Sequence, residues 1–210
     1  GDMEAERDVL RLEALGLDSP ADRSLLSGLR ARAGSRSEAL EAIEEAIAED
    51  PTQAADRLSY ANLLYEEGES SKALDAADKC LEIDRQCGGA WALTATILAP
   101  KQNRLKEALK AAIHAVALDS GGVDLVLLKA DLLFADGQAT AAEESLVKSL
   151  EKDAMNGELR ARIATRYLLD GRPEDAQNLL DTTPVGIDHA LLHVVEGRLH
   201  LVNADKARDG

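Results

Sequence analysis

Three kinds of residue recur at one spacing along this chain, and that spacing restricts the fold more than any other feature. Gly34, Gly68, Gly137 and Gly171 stand 34, 69 and 34 residues apart. Asn103 divides the longer interval into 35 and 34, and Asn is the usual substitute for Gly where a left-handed residue ends a helix. Five positions after each of these comes an alanine: Ala39, Ala73, Ala108, Ala142 and Ala176. A third series is acidic, with Asp50, Asp84, Asp119 and Asp153 at intervals of 34, 35 and 34. Three series sharing one period mark a supersecondary unit repeated along the chain.

The unit is helical. Alanine and leucine dominate, aromatic residues make up 2% and only five prolines occur, a mixture that favours helix over strand. The spacing predicts a helix of about a dozen residues running up to the Gly or Asn turn. A second helix follows, whose small alanine lets two backbones approach closely. The Asp opens the next connection, and in the first unit it precedes Pro51, a residue suited to a helix start. A lone hairpin of this kind cannot bury its apolar face, so successive hairpins must stack.

This pattern resembles the tetratricopeptide repeat, whose units combine large, small and turn residues over 34 positions. The first unit, 20–53, carries Leu26, Gly34, Ala39, Ile43, Ala46 and Pro51. The second, 54–87, carries Tyr60, Ala61, Leu64, Gly68, Ala73 and Cys80. The third, 88–122, carries Trp91, Ala95, Leu98, Ala108, Ala112 and Ala115, with one extra residue in the turn at 100–103. The fourth, 123–156, carries Ala130, Leu133, Gly137, Ala142 and Leu146, and the fifth, 157–186, carries Ile163, Ala164, Tyr167, Gly171, Ala176 and Leu180. The large residue that opens the family's unit survives only as Trp91, and its closing proline only as Pro51. The resemblance implies an all-α, right-handed α-solenoid of about five full repeats with partial repeats at its ends.

Both ends read as partial. Residues 1–19 hold an amphipathic helix with Val9, Leu10, Leu12 and Leu15 that resembles a lone second helix. Residues 187–210 resemble another first helix, following a shortened one that ends near Thr182-Thr183-Pro184. The opening Gly1-Asp2-Met3 reads as a cloning remnant, and no polar capping helix closes the array. The expectation is a fragment of a longer protein, or an array whose ends stack on a partner.

In the family, first helices line the concave face. Carried over residue by residue, the groove positions are Asn62, Tyr65 and Glu66 in the second unit, Leu93 and Thr96 in the third, Leu127, Asp131 and Phe134 in the fourth, and Arg162 and Thr165 in the fifth. Such a lining suits an extended peptide or an amphipathic helix of another protein. Leu93 and Leu127 fit packing between repeats equally well. The carboxylate clamp of chaperone-binding relatives is missing: its Lys-Asn pair falls on Ser24 and Gly28, or on Leu58 and Asn62, and only Asn62 matches.

Composition closes off several other functions. The net charge is −15, from 39 acidic and 24 basic residues, and the basic residues are interleaved with acids, so a nucleic acid is a poor partner. No apolar run approaches the length of about 20 residues that spans a bilayer. Glu41, Glu44, Glu45 and Glu49 read as a solvated convex face. Cys80 and Cys87 are too few for a disulfide framework; Cys80 reads as a buried structural thiol and Cys87 as a loop residue. His189, His193, Glu196 and His200 fall on one arc of the last helix, opposite Leu191, Leu192, Val195, Leu199 and Val202. That is metal-ligand spacing, set against the simpler reading that His193 and His200 fill large-residue positions. No phosphate-cradling loop, nucleophile elbow or carboxylate pair appears, so no enzyme activity and no cofactor are expected. Cytoplasmic and periplasmic placements are both compatible with the sequence. The leading expectation is a protein-binding scaffold, followed by a solenoid that self-associates through its ends, and then by a metal-binding protein.

Overall fold

The computed structural model describes residues 2–16, 19–118, 122–187 and 189–209, with side chains through residue 202 and at residue 204. Among the described residues there is no strand. Helix α1 (Met3–Leu15) precedes three hairpins: α2 (Pro20–Ala33) with α3 (Arg36–Glu49), α4 (Ala54–Glu66) with α5 (Ser70–Ile83), and α6 (Gly88–Leu98) with α7 (Leu105–Ala117). Helices α8 (Gly122–Ala135), α9 (Ala139–Lys152), α10 (Gly157–Leu169), α11 (Pro173–Asp181) and α12 (Ala190–Asp209) follow. The chain forms two compact units, Gly1–Leu132 and Leu133–Gly210. In the first unit the closest pairings are within hairpins, and α3 also packs on α4 and α5 on α6. The architecture is that of an all-α helical-repeat solenoid.

The glycines end helices by one shared device. Gly34, Gly68, Gly137 and Gly171 all have positive φ, between 73° and 94°. In each case the glycine N–H donates three residues back and the next N–H five residues back, as in Gly34 to Ala31 at 3.1 Å and Ser35 to Arg30 at 2.9 Å. This Schellman closure satisfies the last carbonyls of the helix in a conformation only glycine adopts without strain. Asn103 departs from the expectation. It lies in a short 3-10 helix, Gln102–Arg104, after α6 has already ended at Leu98. The extra residue of this unit lets the turn close through Lys101 N–H to Leu98 at 2.9 Å and Arg104 N–H to Lys101 at 2.8 Å, so no left-handed residue is required.

The acidic series has an equally local cause. Asp50, Asp84 and Asp153 follow α3, α5 and α9, each with φ near −130°. The Asp50 carboxylate accepts from Thr52 N–H at 3.0 Å, and the Asp84 carboxylate from Gln86 N–H at 2.8 Å. These Asx turns start each four-residue connection to the next first helix. Asp119, the remaining member, lies outside the described residues, as do Leu17 and Asp18 beyond α1.

The alanines mark close helix contact. Ala39, Ala73, Ala108, Ala142 and Ala176 are all fully buried. Ala5 on α1 stands 34 residues before Ala39 and is buried as completely, a sixth member that the glycine-anchored series did not reach. Positions recurring at the same period on the first helices are small too: Ser27, Ala61, Ala95, Ala130 and Ala164 are all buried. Ser27 shows how near the helices lie, its hydroxyl donating to the Ala39 carbonyl at 2.7 Å.

In the second unit α12 buries Leu192, Val195 and Leu199 against Ala161 and Ala164 of α10 and Ala176 and Leu180 of α11. Leu191 and Val202, expected on this apolar face, are exposed instead, together with Val194 and Leu201. Among the described residues of α12, the Leu192–Val195–Leu199 stripe has the register to reach α10 and α11. The connection before α12 passes so near α10 that a Cβ on Gly157 would lie 2.8 Å from both His189 Cβ and Ile187 Cγ2.

Candidate functional site

Which helices form the inner face of the first unit follows from helix-to-helix approach. The first helices come close to one another, α2 to α4 and α4 to α6, while the second helices α3, α5 and α7 show no approach of that extent. A stack curves toward the layer whose members lie closer together, so α2, α4 and α6 form the concave side. On α4 and α6, Asn62, Glu66 and Thr96 are exposed, and Tyr65 keeps 38% of its surface free. Glu66 pairs with Arg36 at 3.3 Å, and the Thr96 hydroxyl donates to the Ala92 carbonyl at 3.0 Å. On α8, Asp131 is exposed and Leu127 half-buried. Leu93 is buried at 8%, so of its two readings the structure places it in packing.

The remaining groove positions lie in the second unit. Phe134 is half-buried, with the Arg166 guanidinium carbon 4.1 Å from its ring centre. Arg162 is exposed and bridges to Glu158 at 2.8 Å. The Thr165 hydroxyl turns back to the Ala161 carbonyl at 2.8 Å. Of these expected groove positions, Glu66, Thr96, Arg162 and Thr165 are thus engaged within the chain.

A second recess lies in the first unit. A cleft of about 330 Å³ opens beside Trp91, between α5, α6 and α7. Asp75, Asp78, Thr94, Arg104 and Glu107 line it. Arg104 is held bidentately by Glu107 at 2.7 and 3.2 Å, which also keeps the Glu107 carboxyl below the usual carboxylate range. Burial, and then the neighbouring Asp75, push the Asp78 carboxyl up. The Thr94 hydroxyl is buried without a hydrogen-bond partner. Trp91 forms the wall, its indole N–H donating to the Arg85 carbonyl at 3.0 Å and its ring stacked on His114 at 4.7 Å. In the sequence, the lone tryptophan is the available signal for this cleft.

Arginines occupy the register of Trp91 in other units. Counting from Trp91, its register falls on Arg23, Arg57 and Arg160 in the first, second and fifth units. Arg160 is only 5% exposed, donates to the Leu179 carbonyl at 2.9 Å and to the Ala154 carbonyl at 3.4 Å, and has its pKa lowered by burial. Ala154 stands to Arg160 as Arg85 stands to Trp91, so a guanidinium reaches the carbonyl that the indole reaches elsewhere. Arg23 pairs with Glu45 at 3.4 Å and with Glu49. The acidic face of α3 is thus partly engaged, and the Glu44 carboxylate accepts from the Tyr60 hydroxyl at 2.7 Å. Burial, and then this contact, push Tyr60 up to about 12.

The histidines do not assemble as a ligand set. His189 precedes α12, outside its helical register, and its Nδ1 accepts from the Leu191 N–H at 3.3 Å. His193 sits 3.3 Å from Glu196 on an exposed face. Among the described residues no group of three or more His, Cys, Asp or Glu side chains comes together as a metal site. No helix of the described residues is long and apolar enough to cross a membrane.

No known protein family's profile matches the sequence, and no curated protein matches it. Solved structures do. A tetratricopeptide repeat protein from Parabacteroides merdae ATCC 43184 superposes with a TM-score of 0.65 at 20% identity, covering 90% of this chain and 74% of that one. PilW, a widely conserved type IV pilus biogenesis factor, gives 0.67 at 20% identity over 90% and 89%. YrrB, a tetratricopeptide repeat protein with an unusual peptide-binding site, gives 0.62 at 19% identity over 84% and 91%. At such identities the likeness is one of fold.

Proposed function

We propose that this chain, which has the fold of tetratricopeptide repeat proteins, is a non-catalytic scaffold that holds a peptide or amphipathic helix of another protein against its first helices. The observation that supports this reading is the exposure of Asn62, Tyr65 and Thr96 on α4 and α6, first helices that approach each other. A tyrosine flanked by amide and hydroxyl groups supplies contact area at low entropic cost, with polar groups to fix register. YrrB, of like fold, is described as having a peptide-binding site. The net charge of −15 favours a segment carrying Lys or Arg, through faster encounter and complementary potential. Asp131 on α8 and Arg162 and Thr165 on α10 extend the same assignment, each within its own unit.

Selection of binders from a random peptide library tests the reading. Selected peptides are expected to be enriched in Lys and Arg. Their affinity should fall about tenfold or more for Tyr65→Ala combined with Asn62→Ala, and hardly change for Glu41→Ala on the far side of the repeat. Peptides that bind the double variant as tightly as the parent chain would reject this face.

A second reading has its own support. Leu191, Val194 and Leu201 of α12, and Met3, Leu10 and Leu15 of α1, are exposed, so the terminal helices carry apolar surface suited to end-to-end stacking of copies. Light scattering across a wide concentration range should then show mass growing with concentration, and Leu191→Lys with Leu201→Lys should suppress the growth. A constant monomer mass removes this reading and leaves the first intact.

A further inference from the structure

Cys80 and Cys87 are brought together by the joint between the second and third hairpins. Their sulfurs lie 2.9 Å apart, and both thiols are free. Neither position is loose. Cys80 sits on the last turn of α5, fully buried, in the repeat register that Ala46 and Ala115 occupy elsewhere. Cys87 is the N-cap of α6, its N–H donating to the Asp84 carbonyl at 3.1 Å and its carbonyl accepting from Ala90 at 3.1 Å. The Asx turn at Asp84 fixes the residues between. Two thiols held from both sides at this separation need a further approach of under about 1 Å to reach a disulfide bond length.

We infer that Cys80 and Cys87 form a reversible disulfide that staples the second repeat to the third, closed by thiol–disulfide exchange with a low-molecular-weight disulfide such as oxidised glutathione. Cys87 is the half-buried member on the connection and reacts first. It loses its proton to solvent, and its sulfur attacks one sulfur of the reagent; the reagent's S–S bond breaks and one glutathione thiolate leaves. Cys80 then loses its proton and attacks the Cys87 sulfur, forming the intramolecular bond and expelling the second glutathione thiolate. Two electrons pass to the reagent and the two thiolates take up two protons, so two glutathiones replace one disulfide. The order follows from burial, which shields Cys80 from the reagent and, with the neighbouring Cys87 thiol, pushes its pKa to about 12. Cys80 resolves efficiently only because its target is already in contact.

The bond would tie the last turn of α5 to the first turn of α6, which carries Trp91 and so one wall of the cleft. Closing a loop this short restricts the unfolded chain and raises the unfolding midpoint by about 5 °C.

The full chain is incubated with oxidised glutathione at about pH 8, near the ordinary thiol pKa, then quenched, alkylated and analysed by intact mass and peptide mapping. The expected product has lost two hydrogens, takes up no alkylating reagent, contains a Cys80–Cys87 crosslinked peptide, and reverts with dithiothreitol. Cys80→Ala, a change to the residue other repeats use there, should stop at a stable glutathione adduct on Cys87. Cys87→Ser should leave Cys80 unmodified in the folded state, with helicity checked by circular dichroism. Two alkylatable thiols after prolonged oxidation, a lasting adduct on Cys87 of the parent chain, or crosslinking only between chains would each overturn the assignment.

Discussion

Ala73→Leu is expected to lower the stability of the chain by about 3 kcal/mol, with the loss concentrated in the α4–α5 hairpin. Ala73 is fully buried, and its register partner on α4, Ala61, is buried as completely. Small faces small here, which allows the two backbones to come close. The Ser27 hydroxyl reaching the Ala39 carbonyl across the equivalent interface at 2.7 Å shows how little space remains. An isobutyl group in that interface must push α4 and α5 apart, which costs packing within the hairpin. Ala48→Leu, on an exposed position of α3, should stay within about 0.5 kcal/mol of the parent. Urea denaturation followed by circular dichroism reads the difference. Hydrogen exchange should place the weakened amides in α4 and α5, since stability in a repeat array is local to a unit and its neighbours. Equal effects from the two leucines would contradict the tight interface.

Arg160→Ala is the second large effect, about 3 kcal/mol lost from the unit Leu133–Gly210. The side chain fills the position of a large residue with its methylene stem and spends its guanidinium on backbone carbonyls rather than on an acid. Removing it leaves a void and withdraws the donor from the Leu179 carbonyl in the last turn of α11, where a cation also meets the negative end of the helix dipole. Arg160→Met retains a stem of similar length without the donors and should recover about half the loss. The test is a thermal or urea transition with hydrogen exchange over α10 and α11. If alanine and methionine behave alike, the stem contributes nothing; if both are neutral, the carbonyl contacts are incidental.

These two sites divide what can be read from the chain by itself from what cannot. The period of 34, the helical content and the hairpin unit were legible, because each rests on local chemistry. Glycine at the end of a helix relieves a backbone conformation, Asp after a second helix folds back on its own connection, and an alanine marks where helices touch. Ala5, one period before Ala39, joins the alanine series only once its burial is seen. Asn103 was misread because one inserted residue changed the turn class, and neighbouring backbone geometry, not residue type, decides between a left-handed and a 3-10 closure.

The candidate site was legible only as a register. The family resemblance pointed to Asn62, Tyr65 and Thr96 on first helices, and those positions are exposed. It could not separate Leu93, which packs, nor show that Glu66 is already paired with Arg36. The cleft beside Trp91, the Cys80–Cys87 contact and the arginines in the aromatic register depend on residues meeting across helices, and no spacing rule encodes such meetings. Local hydrogen bonds and small-residue spacing are written into consecutive positions, so the sequence alone specified the repeating hairpin. Which side chains meet, and which remain free for a partner, depends on the distances between stacked helices, and only the tertiary structure set those.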